Sequence, residues 1–184
     1  MRQLALVVAL LCLPAAAPAG SIEGVDFPDR FQAGDERLEL KGLGLLRYRV
    51  VFRGYVAALY LDAQTPPSAV LEDVPKRLEI EYFWSIGGEA IRDAGAELLA
   101  RNVAPRELAA LRERVDRIGR LYRDVEPGDR YALTYVPGRG TELSLNGEAL
   151  GIVPGADFAA AYFAIWLGEE PIDESLRRQL LTPL

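Results

Sequence analysis

Apolar and polar residues alternate along several short segments of the chain, and a period of two predicts β-strands. The pattern begins at residues 37–40 and returns at residues 45–52. Arg53-Gly54 predicts a bend or a bulge, after which residues 55–61 continue as extended chain. The next alternating segment covers residues 77–84 and has its apolar positions on one face.

Three more strands are predicted in the second half of the chain, at residues 131–135, 141–145 and 149–153. Turn sequences separate them, and Asn146-Gly147 is typical of a two-residue hairpin loop. We therefore expect a meander, in which each strand pairs with the next.

Apolar residues recur at helical spacing in two segments between these groups of strands. The first contains Ile91, Gly95 and Leu98. The second begins at Pro105, a residue favoured in the first turn of a helix, and is strongly amphipathic up to Tyr122. Its charged face is most simply a solvated surface with salt bridges rather than an anion site.

Two further helices are expected near the end of the chain. Residues 157–167 are apolar nearly all round, which is typical of a helix buried on most sides. Asp173 is a favourable N-cap for a last short helix that ends at Leu181. The order of strands, two helices, a meander and helices again predicts an α+β fold, an antiparallel sheet with a layer of helices on one face.

The first nineteen residues have the features of a secretory signal peptide. The positive start Met1-Arg2-Gln3 precedes an apolar run at residues 4–13, and Ala17-Pro18-Ala19 fits the A-x-A cleavage pattern. The run is too short to span a bilayer as a helix, and the alternative is an uncleaved anchor. We expect a signal peptide at residues 1–19, a single mature domain at residues 20–184 and a periplasmic location.

Composition restricts the chemistry that such a domain can perform. The chain has 21 basic and 27 acidic side chains, no His, and one Cys, Cys12, within the predicted signal peptide. The acidic balance argues against nucleic acid as a partner. Without His or Cys, the mature chain lacks the commonest general base and metal ligand and forms no disulfide.

No motif for a cofactor or a metal ion is found. Gly42-Leu43-Gly44 begins like a dinucleotide-binding fingerprint, but the third glycine is missing and a strand follows instead of a helix. Asp93 and Glu97 are four residues apart on a predicted helix, where ordinary exposed carboxylates explain them better than a catalytic pair. No phosphate loop or calcium loop occurs, so we expect no cofactor and no metal.

Arg47 is the charged residue that most suggests a binding role. It follows Leu45-Leu46 on an alternating strand, and an arginine in an apolar cleft is costly unless an anion meets it. Its planar guanidinium suits a carboxylate. The alternative is an edge-strand arginine in water beside Arg49 and Arg53.

Aromatic residues are frequent on the predicted strands. Most of the strand tyrosines are expected in the core with the hydroxyl at its rim, namely Tyr55, Tyr60, Tyr82, Tyr131 and Tyr135. Trp84 and Trp166 are likewise expected in the core rather than in contact with a ligand.

Several segments, in this order and spacing, resemble a known family. Residues 42–47 (GLGLLR) and 55–61 (YVAALYL) are similar to its opening hairpin, and residues 75–78 (PKRL) lead into a strand. Residues 128–141 and residues 166–181, which contain PGRGT and WLG, match its middle and end. The family is the chalcone isomerase-like family, in particular its exported bacterial branch.

This resemblance implies an antiparallel sheet covered by helices, with a ligand cleft between them. In the enzymes of the family an arginine after the first glycine pair steadies an anionic phenolic substrate, and Arg47 stands at that position. The fatty-acid-binding relatives pair an arginine with a tyrosine to hold a carboxylate, and Arg47 with Tyr55 resembles that arrangement. The enzymes' tyrosine and asparagine are missing from residues 88–97, and the position of their late threonine falls near Ala149-Leu150.

The resemblance therefore implies binding rather than catalysis, and no catalytic residue is assigned. We expect Arg47 to pair with the anionic group of a small amphipathic ligand, such as a fatty acid or an aromatic acid. Tyr55 would donate a hydrogen bond, and aromatic residues would line an apolar cleft. The alternatives are an intramolecular lyase of the chalcone isomerase type and a structural envelope protein without a small ligand.

Overall fold

Nine strands and four helices make up the part of the chain that the computed structural model describes, residues 18–48 and 52–184. The strands are β1 (Pro18–Ile22), β2 (Val25–Pro28), β3 (Arg30–Ala33), β4 (Glu36–Tyr48), β5 (Phe52–Asp62), β6 (Lys76–Tyr82), β7 (Arg130–Val136), β8 (Gly140–Leu145) and β9 (Glu148–Val153). The helices are α1 (Gly88–Asn102), α2 (Pro105–Gly119), α3 (Ala156–Leu167) and α4 (Glu174–Leu181), with a short 3-10 turn at Pro67–Ala69.

Strands β3 to β9 form one antiparallel sheet in which each strand pairs with the next one along the chain. Strands β1 and β2 form a separate hairpin. Helices α3 and α4 cover one face of the sheet, and α1 packs against α3. The predicted α+β architecture, an antiparallel sheet with helices on one face, is confirmed.

The packing of α4 on β4 explains the glycines that begin like a dinucleotide motif. A Cβ atom at Gly44 would lie 2.6 Å from Cδ1 of Leu176, and one at Gly42 would collide with the backbone of Leu180. Real Cβ atoms do not approach other atoms so closely. Glycine is therefore required here because a helix lies directly on the strand, not because a phosphate does.

The face of the sheet away from the helices, here called the outer face, is partly covered by the β1–β2 hairpin. Val25 and Phe27 of the hairpin belong to a second hydrophobic core together with Val56 and Tyr60 of β5. Beside this core, the guanidinium of Arg77 lies 3.7 Å from the ring centroid of Phe31 and donates a 2.6 Å hydrogen bond to Thr134 Oγ1. The sheet thus has a packed core on each face.

Two boundaries differ from the sequence-based expectation. The predicted strand at residues 45–52 extends over two strands, because Tyr48 of β4 pairs with Phe52 of β5. The apolar alternation continues across this reversal, and a period of two cannot show where a short hairpin turns. The second strand begins at Phe52 rather than at residue 55, so Arg53-Gly54 lies within β5. The predicted bulge is confirmed there, because Leu46 pairs with Tyr55 and Arg47 with Arg53, which leaves Gly54 as the extra residue.

The β1–β2 hairpin was not predicted. Its turn residues Glu23 and Gly24 both have positive φ, 53° and 83°, which is typical of two-residue hairpin loops. The predicted signal peptide lies outside the described residues up to position 17, and Pro18 begins β1. The described residues contain no helix long and apolar enough to cross a membrane.

Candidate functional site

A cavity of about 580 Å³ lies between the sheet and the helices α1 and α3. Its lining is dominated by aliphatic and aromatic side chains. On β6, β7, α1 and α3 the lining residues share one face of their element, so the spacing along the sequence determines which side chains meet there, whereas β5 contributes the consecutive residues 52–55.

The floor of the cavity is formed by the sheet. Leu78, Ile80 and Tyr82 alternate along β6 and therefore lie on the same face, and Tyr131 and Leu133 do so on the neighbouring β7. This is the face that the alternation in the sequence predicts to be apolar. What the alternation does not show is that the space above it is a cavity rather than a packed core.

The walls come from helices. Ile91, Ala94, Gly95 and Leu98 follow helical spacing on α1 and face the cavity. Ala94 and Gly95 carry little or no side chain, and this leaves space between α1 and the sheet. On α3 the same spacing places three residues at the opposite wall, Tyr162, Ile165 and Trp166.

Two large aromatic residues stand at the rim of the cavity. Phe52 is 54% exposed and Trp84 is 55% exposed, and both also line the cavity. The indole N–H of Trp84 donates a 2.6 Å hydrogen bond to the carbonyl oxygen of Arg53, which fixes the indole at this edge. The alternation predicts Trp84 in the core, and this prediction is wrong. Strand β6 ends at Tyr82, so Trp84 lies beyond the strand and is not on its buried face.

Tyr55 lines the cavity. It is buried, and its hydroxyl oxygen accepts a 3.0 Å hydrogen bond from Nε1 of Trp166. Among the described residues, the Tyr55 hydroxyl hydrogen has no acceptor, so it is still able to donate. Burial raises the pKa of Tyr55, and the phenol therefore stays neutral at physiological pH.

Three other tyrosines of the lining use their hydroxyls in different ways. Tyr122 and Tyr162 bond to each other at 2.9 Å, so one hydrogen of this pair is left over. The Tyr131 hydroxyl donates to the carbonyl oxygen of Arg123 at 3.0 Å and accepts from its N–H at 2.7 Å. Tyr131 is therefore fully bonded, whereas the Tyr122–Tyr162 pair retains one donor that has no acceptor among the described residues.

Among the tyrosines of the lining, Tyr82 is the one whose hydroxyl has no partner in the described part of the chain. The residue is only 6% exposed, yet its hydroxyl makes no hydrogen bond to any described residue. The oxygen is not among the fully enclosed unbonded atoms, so the cavity gives access to it. Its ring lies 5.7 Å from that of Tyr55 and 6.3 Å from that of Tyr131. Burial raises its pKa well above the ordinary value.

The charges near the cavity are already compensated. Within residues 18–48 and 52–184, Arg53 is the only charged residue of the lining. Its Nη1 lies 3.3 Å from Oε2 of Glu23, and its guanidinium stacks 4.8 Å from the ring centroid of Phe83. The same part of the chain contains no group of acidic or thiol side chains that could hold a metal ion.

Arg47, the predicted partner of Tyr55, is placed elsewhere. Leu46 packs against the core on the helix side of the sheet, whereas Leu45 belongs to the core on the outer face. Arg47 is two residues after Leu45 on β4 and therefore lies on the same outer face as Leu45. Its Nη2 lies 3.3 Å from Oε1 of Glu23, and the side chain is 48% exposed. The structure therefore brings Tyr55 to the cavity and Arg47 to the outer face, and does not bring the two together.

Most of the polar groups of the cavity are not evident from the sequence pattern. The alternation predicts Tyr82 only as a core aromatic, and the helical spacing places Tyr122 and Tyr162 only among apolar positions. A signal existed for Tyr162, which lies one helical turn before Trp166 on an apolar helix. Residues that line a cavity and residues that fill a packed core recur at the same spacing along a strand or helix. The sequence pattern therefore does not distinguish these tyrosines from ordinary core residues.

Comparison with known proteins agrees with this architecture. The chain is similar to the crystal structure of a fatty-acid binding protein of Arabidopsis thaliana, with a TM-score of 0.68 and 18% sequence identity over 86% of this chain and 92% of that chain. At this identity, the likeness shows the fold. A sequence search of curated proteins finds no match. The family model described as chalcone isomerase-like matches residues 19–182, which confirms the resemblance found in the sequence: the chain belongs to the chalcone isomerase-like family.

Proposed function

We propose that this protein binds a small, largely apolar ligand in the cavity and does not convert it. The main support for this proposal is the size and the apolar lining of the cavity. Protein interiors are close-packed and leave few voids larger than a water molecule, whereas this cavity measures about 580 Å³. Sites for small molecules occupy about 300–1,000 Å³ and have mainly apolar linings with a few polar groups.

The lining favours a ligand with a long apolar or aromatic body. Aliphatic side chains of the sheet and of α1 would contact such a body along its length, and Phe52 and Trp84 would extend this contact at the rim. The structural neighbour from Arabidopsis is a fatty-acid binding protein. This supports fatty acyl compounds as the first class to test, with aromatic acids as the second.

Binding without catalysis is supported by the protonation chemistry of the cavity. A general acid or base works best when its pKa lies near the working pH. Burial instead raises the pKa of Tyr55, Tyr82, Tyr122 and Tyr162. Within the described part of the chain the lining contains no carboxylate and no lysine. These phenols can donate hydrogen bonds, but they are poor proton acceptors at neutral pH.

The experiment that tests this function is native mass spectrometry of the protein purified from its own cells, followed by extraction and identification of what it carries. We expect one equivalent of a compound with a long acyl chain or an aromatic body. A companion assay follows the cyclisation of a chalcone. An empty protein that turns over the chalcone at enzyme-like rates would contradict the proposal and favour the isomerase alternative.

We also propose that the protein acts after export. The proposal is supported by the positive start, the apolar run and the Ala17-Pro18-Ala19 sequence near the N-terminus. Cleavage before Gly20 would preserve the pairing of Gly20, Ser21 and Ile22 with β2. N-terminal sequencing of the periplasmic protein should begin at or near Gly20, and a mature form that retains the apolar run would contradict export by cleavage.

A further inference from the structure

We propose that the polar end of the ligand is a neutral hydrogen-bond acceptor, such as an ester, ketone or aldehyde carbonyl, bound inside the cavity by the hydroxyl of Tyr82. This inference rests on the proposed function, because it specifies the chemical class of ligand for the same cavity. It differs from the arrangement expected from the sequence, in which an arginine holds an anion.

The first observation is that the cavity has donors without acceptors. Among the described residues, the Tyr82 hydroxyl neither donates nor accepts a hydrogen bond. The Tyr55 hydroxyl accepts a hydrogen bond from Trp166 but donates none to a described residue, and one hydroxyl hydrogen of the Tyr122–Tyr162 pair has no acceptor there. Tyr82 is buried and its hydroxyl is open to the cavity. Leaving a buried polar group unpaired costs free energy, so this arrangement favours a ligand that supplies the acceptor.

The second observation is the position of Tyr82 beside Tyr55. The two residues pair across β5 and β6, and their ring centroids are 5.7 Å apart. A carbonyl oxygen has two lone pairs and can accept one hydrogen bond from Tyr82 and a second from another phenol. The neighbouring Tyr131 is different, because its hydroxyl is already bonded to the backbone of Arg123. Tyr82 is therefore the principal donor, and Tyr55 is placed to assist it.

The third observation decides between a neutral and an anionic acceptor. An ionised carboxylate that leaves water for an apolar site needs a cation or several strong donors to offset its lost hydration. Among the described residues, the only cation of the lining is Arg53, whose guanidinium is bound to Glu23 and stacked on Phe83. A carbonyl loses far less hydration and needs only the phenols. The cavity therefore selects the neutral compound.

The test compares two ligands that differ only at the polar end. Methyl undecanoate and undecanoate ion compete with the neutral fluorophore N-phenylnaphthylamine for the purified protein at a pH where the acid is ionised. We expect the ester to bind at least about tenfold more tightly than the carboxylate. An equal or tighter affinity for the carboxylate would overturn the inference.

The role of Tyr82 is tested with the infrared stretch of an isotope-labelled ester carbonyl. A donated hydrogen bond lowers this frequency, so Tyr82→Phe should raise it and weaken ester binding about five- to tenfold. Tyr135→Phe is the matched control, because Tyr135 is buried outside the cavity and its hydroxyl bonds to Asp73. An unshifted carbonyl in Tyr82→Phe would overturn the assignment of this donor.

These outcomes separate the inference from the proposed function. Binding of the fluorophore reports the apolar cavity alone, and its failure to bind wild-type protein would contradict both. If the fluorophore binds but the carboxylate is preferred, only the inference about the polar end fails. The ligand comparison uses wild-type protein, so it stands even if Tyr82→Phe does not fold.

Discussion

The indole Nε1 of Trp166 donates a 3.0 Å hydrogen bond to the hydroxyl oxygen of Tyr55 and thereby joins α3 to β5 at the wall of the cavity. Both residues are buried, and both also contact the ligand space. This bond uses the acceptor side of Tyr55 and leaves its hydrogen available. One interaction therefore joins two walls of the cavity and orients the hydroxyl of Tyr55.

We predict that Trp166 and Tyr55 are energetically coupled. Tyr55→Phe and Trp166→Phe each remove the bond, so the double variant should lose about 1 kcal/mol less free energy of unfolding than the sum of the single variants. Urea denaturation of the four proteins gives this coupling. Strictly additive effects would mean that the hydrogen bond contributes nothing to stability.

A second prediction concerns the buried charges on the outer face. Glu79 accepts from Nε of Arg77 at 3.4 Å and from Nη1 of Arg130 at 3.3 Å. Glu79→Gln would leave two arginines without this carboxylate and should lower the free energy of unfolding by about 3 kcal/mol. The control is Glu89→Gln, which breaks an exposed pair with Arg92 and should change stability within experimental error. Equal effects of the two variants would contradict this account.

A third prediction is that the contribution of Lys76 to stability increases with pH. Lys76 is fully buried, its Nζ donates a 2.6 Å hydrogen bond to the carbonyl oxygen of Glu72, and the rings of Tyr135 and Phe163 lie beside it. Burial lowers the pKa of Lys76 to about 8, although the charges of Asp73 and Glu72 oppose this. The unfolded chain keeps the ordinary lysine pKa of about 10.4.

Between about pH 8 and 10 the unfolded state therefore binds more protons at Lys76 than the folded state does. The contribution of Lys76 to the free energy of unfolding should rise by about 2 kcal/mol over this window, because the folded protein no longer has to bury an ammonium ion. The buried tyrosines act in the opposite direction, because their raised pKa lets the unfolded chain ionise first, so the contribution of Lys76 is measured as the difference between the wild-type protein and a Lys76 variant. Lys76→Met should remove most of this rise. Urea titrations of both proteins at the two ends of the window measure it, and parallel curves would refute the assignment to Lys76.

Much of the fold could be predicted because period and spacing are local properties. The alternation of Leu78, Ile80 and Tyr82 predicts a strand with one apolar face, and the spacing of Ile91 and Leu98 predicts a helix. In the structure these same faces line the cavity. The cavity itself could not be predicted, because the sequence records which side chains are apolar but not how far apart the elements stand.

The location of Arg47 shows a second limit. Leu45 and Leu46 are both apolar, so the sequence does not indicate which of them faces the helices. The answer depends on what covers each face of the sheet, and the outer face is partly covered by the β1–β2 hairpin, which the sequence pattern does not predict. The carboxylate that pairs with Arg47 belongs to Glu23 in that hairpin. Because the hairpin is not predicted from the sequence, a ligand anion is the only partner that the sequence suggests for Arg47.

The central claim is that the space between α1 and the sheet is a ligand site. Ala90 and Ala94 line it, whereas Ala96 and Ala100 lie on α1 outside the lining, and all four alanines are exposed. The double substitution Ala90→Phe with Ala94→Phe would place two rings in the cavity. The double substitution Ala96→Phe with Ala100→Phe adds the same rings at the same spacing on the solvent side of α1.

The most direct measurement is a fluorescence titration of N-phenylnaphthylamine against these two double variants and the wild-type protein. We predict that the wild-type protein and the Ala96→Phe, Ala100→Phe variant bind the fluorophore with similar affinity, and that the Ala90→Phe, Ala94→Phe variant binds at least about tenfold more weakly with its fold retained by circular dichroism. Equal binding by all three proteins would show that the fluorophore binds elsewhere and would contradict the assignment of this cavity as the functional site.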